Sequence, residues 1–240
     1  MTTYSTKLDR RDEIAEGTMS FHFTKPAGFH FKAGQAIDVI LADPPGADAR
    51  SAGHTFSIVS APFQGELAIA TRMRDSAFKR ALKALPIGAP LKLEGPFGSF
   101  ALHGDQARPA VFIAGGIGIT PFMSILRQAA QDRLPHRLLL LYSNRRPEDA
   151  AFLSELQQLE QQNSNFRLVA TMTEMSKSAR KWEGETSFVN ADLVKRHVAD
   201  LAAPIYYVVG PPAMVEAVTE MLRGAGVAED LIRSEEFYGY

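Results

Sequence analysis

The fold is decided by residues 111–121, whose sequence is VFIAGGIGITP. The first four residues suit a buried strand, and the turn that follows contains Gly115, Gly116 and Gly118. Glycine permits a tight turn with positive φ, Thr120 suits a helix N-cap, and Pro121 suits the first helical position. Because a helix N-terminus presents free N–H groups and a partial positive charge, the stretch predicts a strand, turn and helix that bind a pyrophosphate.

Two features leave alternatives open. Pro121 stands where the dinucleotide fingerprint G-x-G-x-x-G has its last glycine, so a tight turn without a ligand also fits. The next predicted strand ends in SNRR at residues 143–146, where that fingerprint has an acidic residue for a ribose hydroxyl. Two arginines there favour a 2′-phosphate, and a solvated charge pair at a helix start is the alternative.

Strands and helices alternate from residue 111 to the C-terminal region. Further strands are predicted at residues 137–143, 166–173 and 205–210. Helices are predicted at residues 121–130, 147–159 and 212–223, with a short one opened by Asn190. Such alternation gives a parallel sheet with helices on both faces, so residues 105–240 are predicted to be a doubly wound α/β domain.

The first hundred residues carry a strand pattern. In TMSFHFTK, the residues Met19, Phe21 and Phe23 alternate with polar ones. Similar β-rich runs, separated by glycine and proline, lie at residues 35–42, 54–60, 66–73 and 89–96. One segment, residues 76–85, has helical spacing instead. The pattern predicts that residues 1–104 form an antiparallel β-barrel.

Composition excludes several kinds of site. The 240 residues carry a formal net charge of −1, which indicates no bulk attraction to nucleic acid or anionic lipid. The sequence has no cysteine, which excludes a thiolate zinc site and a cysteine-ligated iron–sulfur cluster within it, and no metal site is expected. The N-terminus lacks the apolar stretch of a signal peptide, and glycines interrupt residues 109–126. We therefore expect a cytoplasmic protein without a membrane span.

Six segments occur in an order that resembles the ferredoxin–NADP reductase family of flavoproteins. They are FKAGQ at residues 31–35, HTFSIVS at residues 54–60, GPFG at residues 95–98, the turn at residues 115–121, GPPAM at residues 210–214 and EEFY at residues 235–238. The resemblance covers nearly the whole chain. It implies a flavin-binding barrel followed by an NAD(P) domain, with hydride transfer where the two meet. It favours FAD as the flavin, with NADPH or NADH as the hydride donor.

The resemblance also implies residue roles in the first half. Phe56 takes the place of the tyrosine that packs on the isoalloxazine ring, and Ser57 that of the serine that hydrogen-bonds near flavin N5. His54 stands where the family usually has a phosphate-binding arginine. Further candidates for phosphate binding are Arg72, Arg74 and Ser76. For each residue, a plain role in the core, in a backbone hydrogen bond or in a helix cap is the alternative.

In the second half, Gly210 and the prolines after it resemble the nicotinamide-side turn. Val209 stands where many members have cysteine, so no polar contribution is expected from that position. Glu236 resembles the carboxylate near the flavin that is assigned to proton relay, and an exposed C-terminal glutamate is the alternative. Phe237 and Tyr238 would cover the flavin face that nicotinamide must reach.

The predicted function is a reductase that passes hydride from NAD(P)H to FAD and then electrons to a separate ferredoxin, flavodoxin or oxygenase component. The predicted catalytic residues are Ser57 and Glu236. The predicted cofactor-binding residues are His54, Thr55, Phe56, Ser57, Thr71, Arg72, Met73, Arg74, Ser76, Gly115, Gly116, Gly118, Thr120, Pro121, Ser143, Asn144, Arg145, Arg146, Gly210, Pro211, Pro212, Met214, Phe237 and Tyr238. Two alternatives are a reductase of free flavin or ferric complexes, and a non-catalytic flavin-binding electron-relay subunit.

Overall fold

The computed structural model describes residues 1–41 and 53–238. The chain splits into two compact units. Unit 1 comprises Met1–Leu102 and Thr120–Gln128, and unit 2 comprises His103–Ile119 and Ala129–Tyr240. Each unit contains one β-sheet.

The sheet of unit 1 is antiparallel. Its strands are β1 (Thr2–Ala15), β2 (Thr18–Thr24), β3 (Ala36–Ile40), β4 (Gly53–Ser57), β5 (Glu66–Arg72) and β6 (Pro90–Phe97). They pair in the order β4-β3-β6-β1-β2-β5. Just beyond β4, the N–H of Val59 donates to the carbonyl oxygen of Ala68 on β5 at 2.8 Å, which brings the two edges together. The sheet is therefore barrel-like, although no ladder between β4 and β5 closes it within the described residues.

Alternation along β2 determines which face of the sheet is buried. Phe21 and Phe23 have no exposed surface, and Met19 packs partly against the same core, as the sequence predicts. β1 is different, because Leu8 is its one fully buried side chain and most of its residues are polar and exposed. Hydrophobic periodicity therefore does not predict β1, which is defined by its pairing with β2 and β6.

The helix α1 (Ala77–Ala84) lies between β5 and β6 in the chain and agrees closely with the predicted helix. Ser76 is its N-cap, and the Ser76 hydroxyl accepts a hydrogen bond from the N–H of Lys79 at 3.1 Å. Phe78 and Leu82, one turn apart, are buried in the unit 1 core. The cap and these two anchors fix the N-terminus of α1 directly after β5.

The sheet of unit 2 is parallel. Its strands are β7 (Ala110–Gly115), β8 (Leu138–Asn144), β9 (Phe166–Met172), β10 (Ile205–Gly210) and β11 (Ile232–Glu236), in the order β11-β10-β7-β8-β9. The helices that follow the strands are α2 (Thr120–Gln131), α3 (Leu153–Gln162), α4 (Ala191–His197) and α5 (Pro212–Gly224). None of the helices in the described residues is long and apolar enough to cross a membrane. All strands end at one edge, here named the carboxyl edge, where α/β sheets bind ligands.

Three features of unit 2 differ from the prediction. Helical winding begins directly after β7 in the 3₁₀ turn Gly116–Ile119 and continues into α2, so Thr120 lies inside the winding and is not an N-cap. The predicted helix at residues 147–159 splits into the 3₁₀ turn Pro147–Asp149 and α3, because Phe152 adopts the left-handed conformation with φ of 61°. The edge strand β11 was not predicted, because its sequence IRSEE is mostly polar.

Candidate functional site

An aromatic surface on unit 1 is formed by the rings of His54 and Phe56, which lie against the buried ring of Phe78. Phe56 on β4 is half-buried, with its ring centroid 6.0 Å from that of Phe78 on α1. The ring of His54 lies 4.3 Å from the same Phe78 ring. Burial lowers the pKa of His54, and the charge of Lys79 lowers it further, so the imidazole is neutral at neutral pH. His54 therefore presents an aromatic face and carries less positive charge than an arginine would at this position.

Cationic side chains gather at the N-terminus of α1. The ammonium group of Lys79 is half-buried and donates to the carbonyl oxygen of Arg72 at 2.8 Å. Burial lowers the pKa of Lys79, and the charge of Arg74 lowers it further. Ser76 acts as the helix cap described above. Positive side chains that lie close together beside a helix N-terminus can be stabilised by a polyanion such as pyrophosphate. Lys79 belongs to this cluster of cations, and the sequence motifs did not indicate it.

The other predicted residues of unit 1 have contacts within it. Thr55 donates its hydroxyl hydrogen to the carboxylate of Asp38 on β3. Ser57 and Thr71 are buried at the ends of β4 and β5. Met73 packs against the core, and its N–H donates to the carbonyl oxygen of Gly17 at 2.7 Å. These contacts hold β4 and β5 in the positions that present the aromatic surface and the cations.

The glycines of the turn after β7 are required by packing within unit 2. A Cβ atom on Gly115 would lie 2.2 Å from the sulfur of Met214, and one on Gly118 would lie 2.4 Å from the carbonyl oxygen of Val209. Gly116 has a φ of 52°, in the left-handed region that favours glycine. The absence of side chains thus lets the ends of β7 and β10 approach each other, in addition to any approach of a ligand.

The end of β10 is shaped in the same way. A Cβ atom on Gly210 would lie 3.3 Å from the backbone of Gly115. Pro211 is the N-cap of α5, and Pro212 is its first residue. The carbonyl oxygen of Gly210 accepts a hydrogen bond from the N–H of Phe237 at 2.9 Å. The turns after β7 and β10 therefore pack closely against each other at the carboxyl edge, where Gly115, Gly118 and Gly210 carry no side chain.

Thr120 and Pro121 do not lie at the start of the helical run, where the sequence predicts them. Both residues are buried, and they belong to the part of α2 that clusters with unit 1. The helical run begins at Gly116, so its N-terminus lies in the 3₁₀ turn Gly116–Ile119 and not at Thr120. The helix start that the sequence places at Thr120 therefore lies four residues earlier, at Gly116.

The SNRR segment divides into residues with different partners. The guanidinium of Arg146 donates to both carboxylate oxygens of Asp149 at 2.9 Å, and the Asp149 side chain is 2% exposed. Arg145 is exposed, with its Nε atom 3.6 Å from a carboxylate oxygen of Glu174. Asn144 is buried, and both of its amide atoms lack a partner among the described residues. Ser143 is half-buried at the same strand end. Asp149 and Glu174 were not indicated by the sequence motifs.

The two adjacent glutamates of β11 have different surroundings. Glu236 is exposed and accepts a hydrogen bond from the hydroxyl of Tyr238, which is itself 78% exposed. Glu235 is half-buried in register with Val209 of β10, and burial raises its pKa to about 7. Phe237 follows half-buried. A carboxyl group with this pKa can both hold and release a proton at neutral pH.

Comparison with known proteins identifies the family. The oxidoreductase NAD-binding domain family matches residues 112–220. Ferredoxin–NADP reductase B of Sorangium cellulosum is 30% identical over 228 residues, which cover 91% of this chain and 90% of that protein. The chain belongs to the ferredoxin–NADP reductase family. It is therefore an NAD(P)H-dependent flavin oxidoreductase, and FAD with NAD(P)H is the cofactor set that goes with this family.

Other relatives extend the comparison. The reductase component of propane 2-monooxygenase from Rhodococcus jostii is 28% identical over 236 residues, and the match covers 97% of this chain but 63% of that protein. A ferredoxin–NADP⁺ reductase from Neisseria gonorrhoeae, solved with bound FAD and NADP, matches with a TM-score of 0.81 and 21% identity over 98% of each chain. The FAD/NAD-binding domain of a Vibrio cholerae nitric oxide dioxygenase matches with a TM-score of 0.83 and 21% identity, covering 97% of this chain and 98% of that one. These structures confirm the predicted fold class.

Proposed function

We propose that residues 1–104 of this reductase bind FAD, that residues 105–240 bind NAD(P)H, and that electrons leave the flavin for a separate acceptor. The observation that carries the proposal is the combination, on unit 1, of an aromatic surface with cations at the N-terminus of α1. FAD supplies the group that accepts hydride and then releases electrons. The residues of the chain bind, orient and supply a proton.

Phe56 offers a flat apolar surface for the isoalloxazine ring, and the neutral ring of His54 extends that surface. The cations that we assign to the FAD pyrophosphate are Arg72, Arg74 and Lys79. A bound dianion would move the pKa of Lys79 back towards its ordinary value, which is the direction in which charge complementarity stabilises a complex.

In unit 2 we assign the pyrophosphate of NAD(P)H to the 3₁₀ turn Gly116–Ile119, since this turn begins the helical run directly after β7 and a helix N-terminus favours anions. Gly116, the first residue of this turn, is partly exposed and has no side chain to cover its backbone. Asn144, a buried amide without a partner in the described residues, fits the adenosine half of the nucleotide, because a ligand would satisfy it. Gly210 and the prolines after it are assigned to the nicotinamide side.

We assign the proton-carrying role to Glu235 in place of Glu236. Its pKa of about 7 makes both protonation states accessible at neutral pH, as a group that delivers or accepts a proton requires. Glu236 is exposed and is held by the hydroxyl of Tyr238, so we assign it no proton transfer. Ser57, buried beside Phe56 at the end of β4, remains a candidate hydrogen-bond partner of the flavin ring.

The relatives bear on the acceptor. The Sorangium protein is named as a ferredoxin–NADP reductase, and the Rhodococcus protein as the reductase component of an oxygenase. Similar folds occur in a cytochrome P450 reductase from Amycolatopsis and in the ferredoxin reductase of carbazole 1,9a-dioxygenase. We propose a ferredoxin or an oxygenase component as the acceptor. The sequence has no cysteine, so a cysteine-ligated iron–sulfur centre in this relay would lie on another polypeptide segment.

The visible spectrum of the purified protein, before and after anaerobic addition of NADH or NADPH, tests the proposal. We expect a bound yellow flavin that one of the two nicotinamides bleaches, and reoxidation when a ferredoxin or an oxygenase component is added. Bound flavin that neither nicotinamide bleaches would refute hydride transfer and favour the relay subunit. A colourless protein that reduces added flavin would indicate a free-flavin reductase.

A further inference from the structure

Arg146 is held by a partner of its own. Its guanidinium group makes two hydrogen bonds of 2.9 Å to the carboxylate of Asp149, in the paired geometry that arginine and carboxylate prefer. The Asp149 side chain is 2% exposed, and removing the partner of a buried carboxylate is strongly unfavourable. Arg146 therefore cannot turn outward to bind a phosphate without breaking both of these hydrogen bonds to a buried carboxylate.

Arg145, the other arginine of the segment, lies beside an anion. The carboxylate of Glu174, after β9, is 3.6 Å from Arg145 and 2.7 Å from the ammonium group of Lys177. The hydrogen bond from Lys177 holds the pKa of Glu174 below its usual range, so the group is ionised at neutral pH. The N–H of Glu174 also donates to the carbonyl oxygen of Arg145 at 2.8 Å, which fixes the two turns together.

Asn144, the residue before Arg145, is independent support for a ligand at this place. Its side-chain oxygen and nitrogen are both buried, and neither has a hydrogen-bond partner in the part of the chain that the structure describes. A buried amide without partners is costly unless a ligand satisfies it. It lies at the end of β8, the second strand of the domain, where dinucleotide-binding sheets hold the adenosine ribose.

We infer that this enzyme prefers NADH to NADPH, and that Glu174 is the residue that rejects the 2′-phosphate. The inference rests on the proposed binding of NAD(P)H at the carboxyl edge of unit 2. It reverses the preference that the two arginines indicate in the sequence alone, because one of them is engaged by Asp149 and the other lies against Glu174.

The charges explain the direction of the preference. A 2′-phosphate brings between one and two negative charges and would compete with Glu174 for Arg145 and Lys177. A 2′-hydroxyl instead donates a hydrogen bond to a carboxylate, which is the interaction that acidic residues make with the ribose of NAD. Glu174 thus acts through repulsion of one substrate as well as attraction of the other, as specificity usually requires.

Isothermal titration of the FAD-loaded protein with adenosine 5′-monophosphate and with its 2′-phosphorylated form tests the inference, because the two ligands differ only in the 2′-phosphate. We expect the unphosphorylated ligand to bind about tenfold more tightly, since a 2′-phosphate would have to displace the like-charged carboxylate of Glu174 from Arg145 and Lys177. Glu174→Gln keeps the backbone hydrogen bond and removes the charge, and should reduce or reverse the ratio. Glu183→Gln, an exposed residue of the same loop, makes the same change in net charge and should leave the ratio unchanged.

Anaerobic bleaching rates with NADH and NADPH give the second readout, and we expect NADH to be faster in the wild type. Tighter binding of the 2′-phosphorylated ligand, faster bleaching by NADPH, or an unchanged ratio in Glu174→Gln would each overturn the inference while leaving the reductase function intact. If neither adenosine ligand binds and neither nicotinamide bleaches the flavin, the proposed function fails, and the inference fails with it.

Discussion

Replacing Glu235 by glutamine should stabilise the protein more at pH 8 than at pH 5. Burial raises the pKa of this carboxyl from 4.5 to about 7, and in the described residues no hydrogen bond or ion pair to it offsets the cost of ionisation. The unfolded chain loses this proton near pH 4.5, whereas the folded chain keeps it until about pH 7. Stability therefore falls as the pH rises through that window, because the folded state binds the additional proton.

The size of the effect follows from the shift. A change from 4.5 to about 7 corresponds to an upper bound of about 3.4 kcal/mol of unfolding free energy. Part of this destabilisation is already present at pH 5, because the carboxyl group of Glu235 is mostly ionised in the unfolded chain at that pH. Glu235 is half-buried on an edge strand, so water screens its charge, and we expect a difference of about 1–2 kcal/mol between pH 5 and pH 8. Glutamine has the same shape and removes the ionisation.

Urea unfolding at pH 5 and pH 8, followed by the fluorescence of Trp182, measures this difference, since Trp182 is the single tryptophan and lies in unit 2. Glu236→Gln is the matched control, because it makes the same chemical change at the neighbouring exposed position. We expect its effect to be the same at both pH values. A benefit of Glu235→Gln that does not grow with pH, or an equal growth in Glu236→Gln, would refute the assignment of the raised pKa to Glu235.

Two further substitutions test FAD binding by Lys79 and the ion pair between Arg146 and Asp149. Lys79→Met should raise the dissociation constant for FAD about tenfold, since one charge-assisted contact to pyrophosphate is lost. Lys83 is exposed on the same helix, and Lys83→Met should change that constant by about twofold at most. Titration of the apoprotein with FAD measures both constants. Arg146→Ala should lower the free energy of unfolding by about 3 kcal/mol, because it removes two hydrogen bonds and a positive charge from the buried carboxylate of Asp149. Urea denaturation measures the loss. A loss below about 1 kcal/mol would show that the pair is not buried in solution.

Hydrophobic periodicity predicts those strands whose own residues are apolar at the buried positions. Phe21 and Phe23 alternate into the core, and β8 reads as a continuous apolar run, so both strands were predicted. β1 and β11 were not, because their residues are mostly polar and exposed. Such strands are stabilised by backbone hydrogen bonds to distant segments, and those partners leave no local pattern in the sequence.

Some residues of the candidate site carry a signal in the local sequence, and others are brought to the site only by the fold. The turn after β7 stands out in the sequence, but the contacts that require Gly115 and Gly118 come from Met214 and Val209, far along the chain. The partner of Arg146 lies three residues away, at Asp149, and that spacing was a signal that could have been used. Glu174 carries no such signal, because a separate strand and turn bring it beside Arg145.

The sequence motif does not distinguish Glu235 from Glu236. The two residues have identical side chains, so the sequence EEF does not show which carboxylate is buried. The alternation of side chains along a strand does show it. Along β11, Arg233 and Glu235 are half-buried while Ser234 and Glu236 are exposed. Arg233 lies 5.3 Å from the ring of Tyr207 on β10, which fixes the inner face of the strand. Once β11 is known to pair with β10, the inner position of Glu235 follows, and its raised pKa follows from that position.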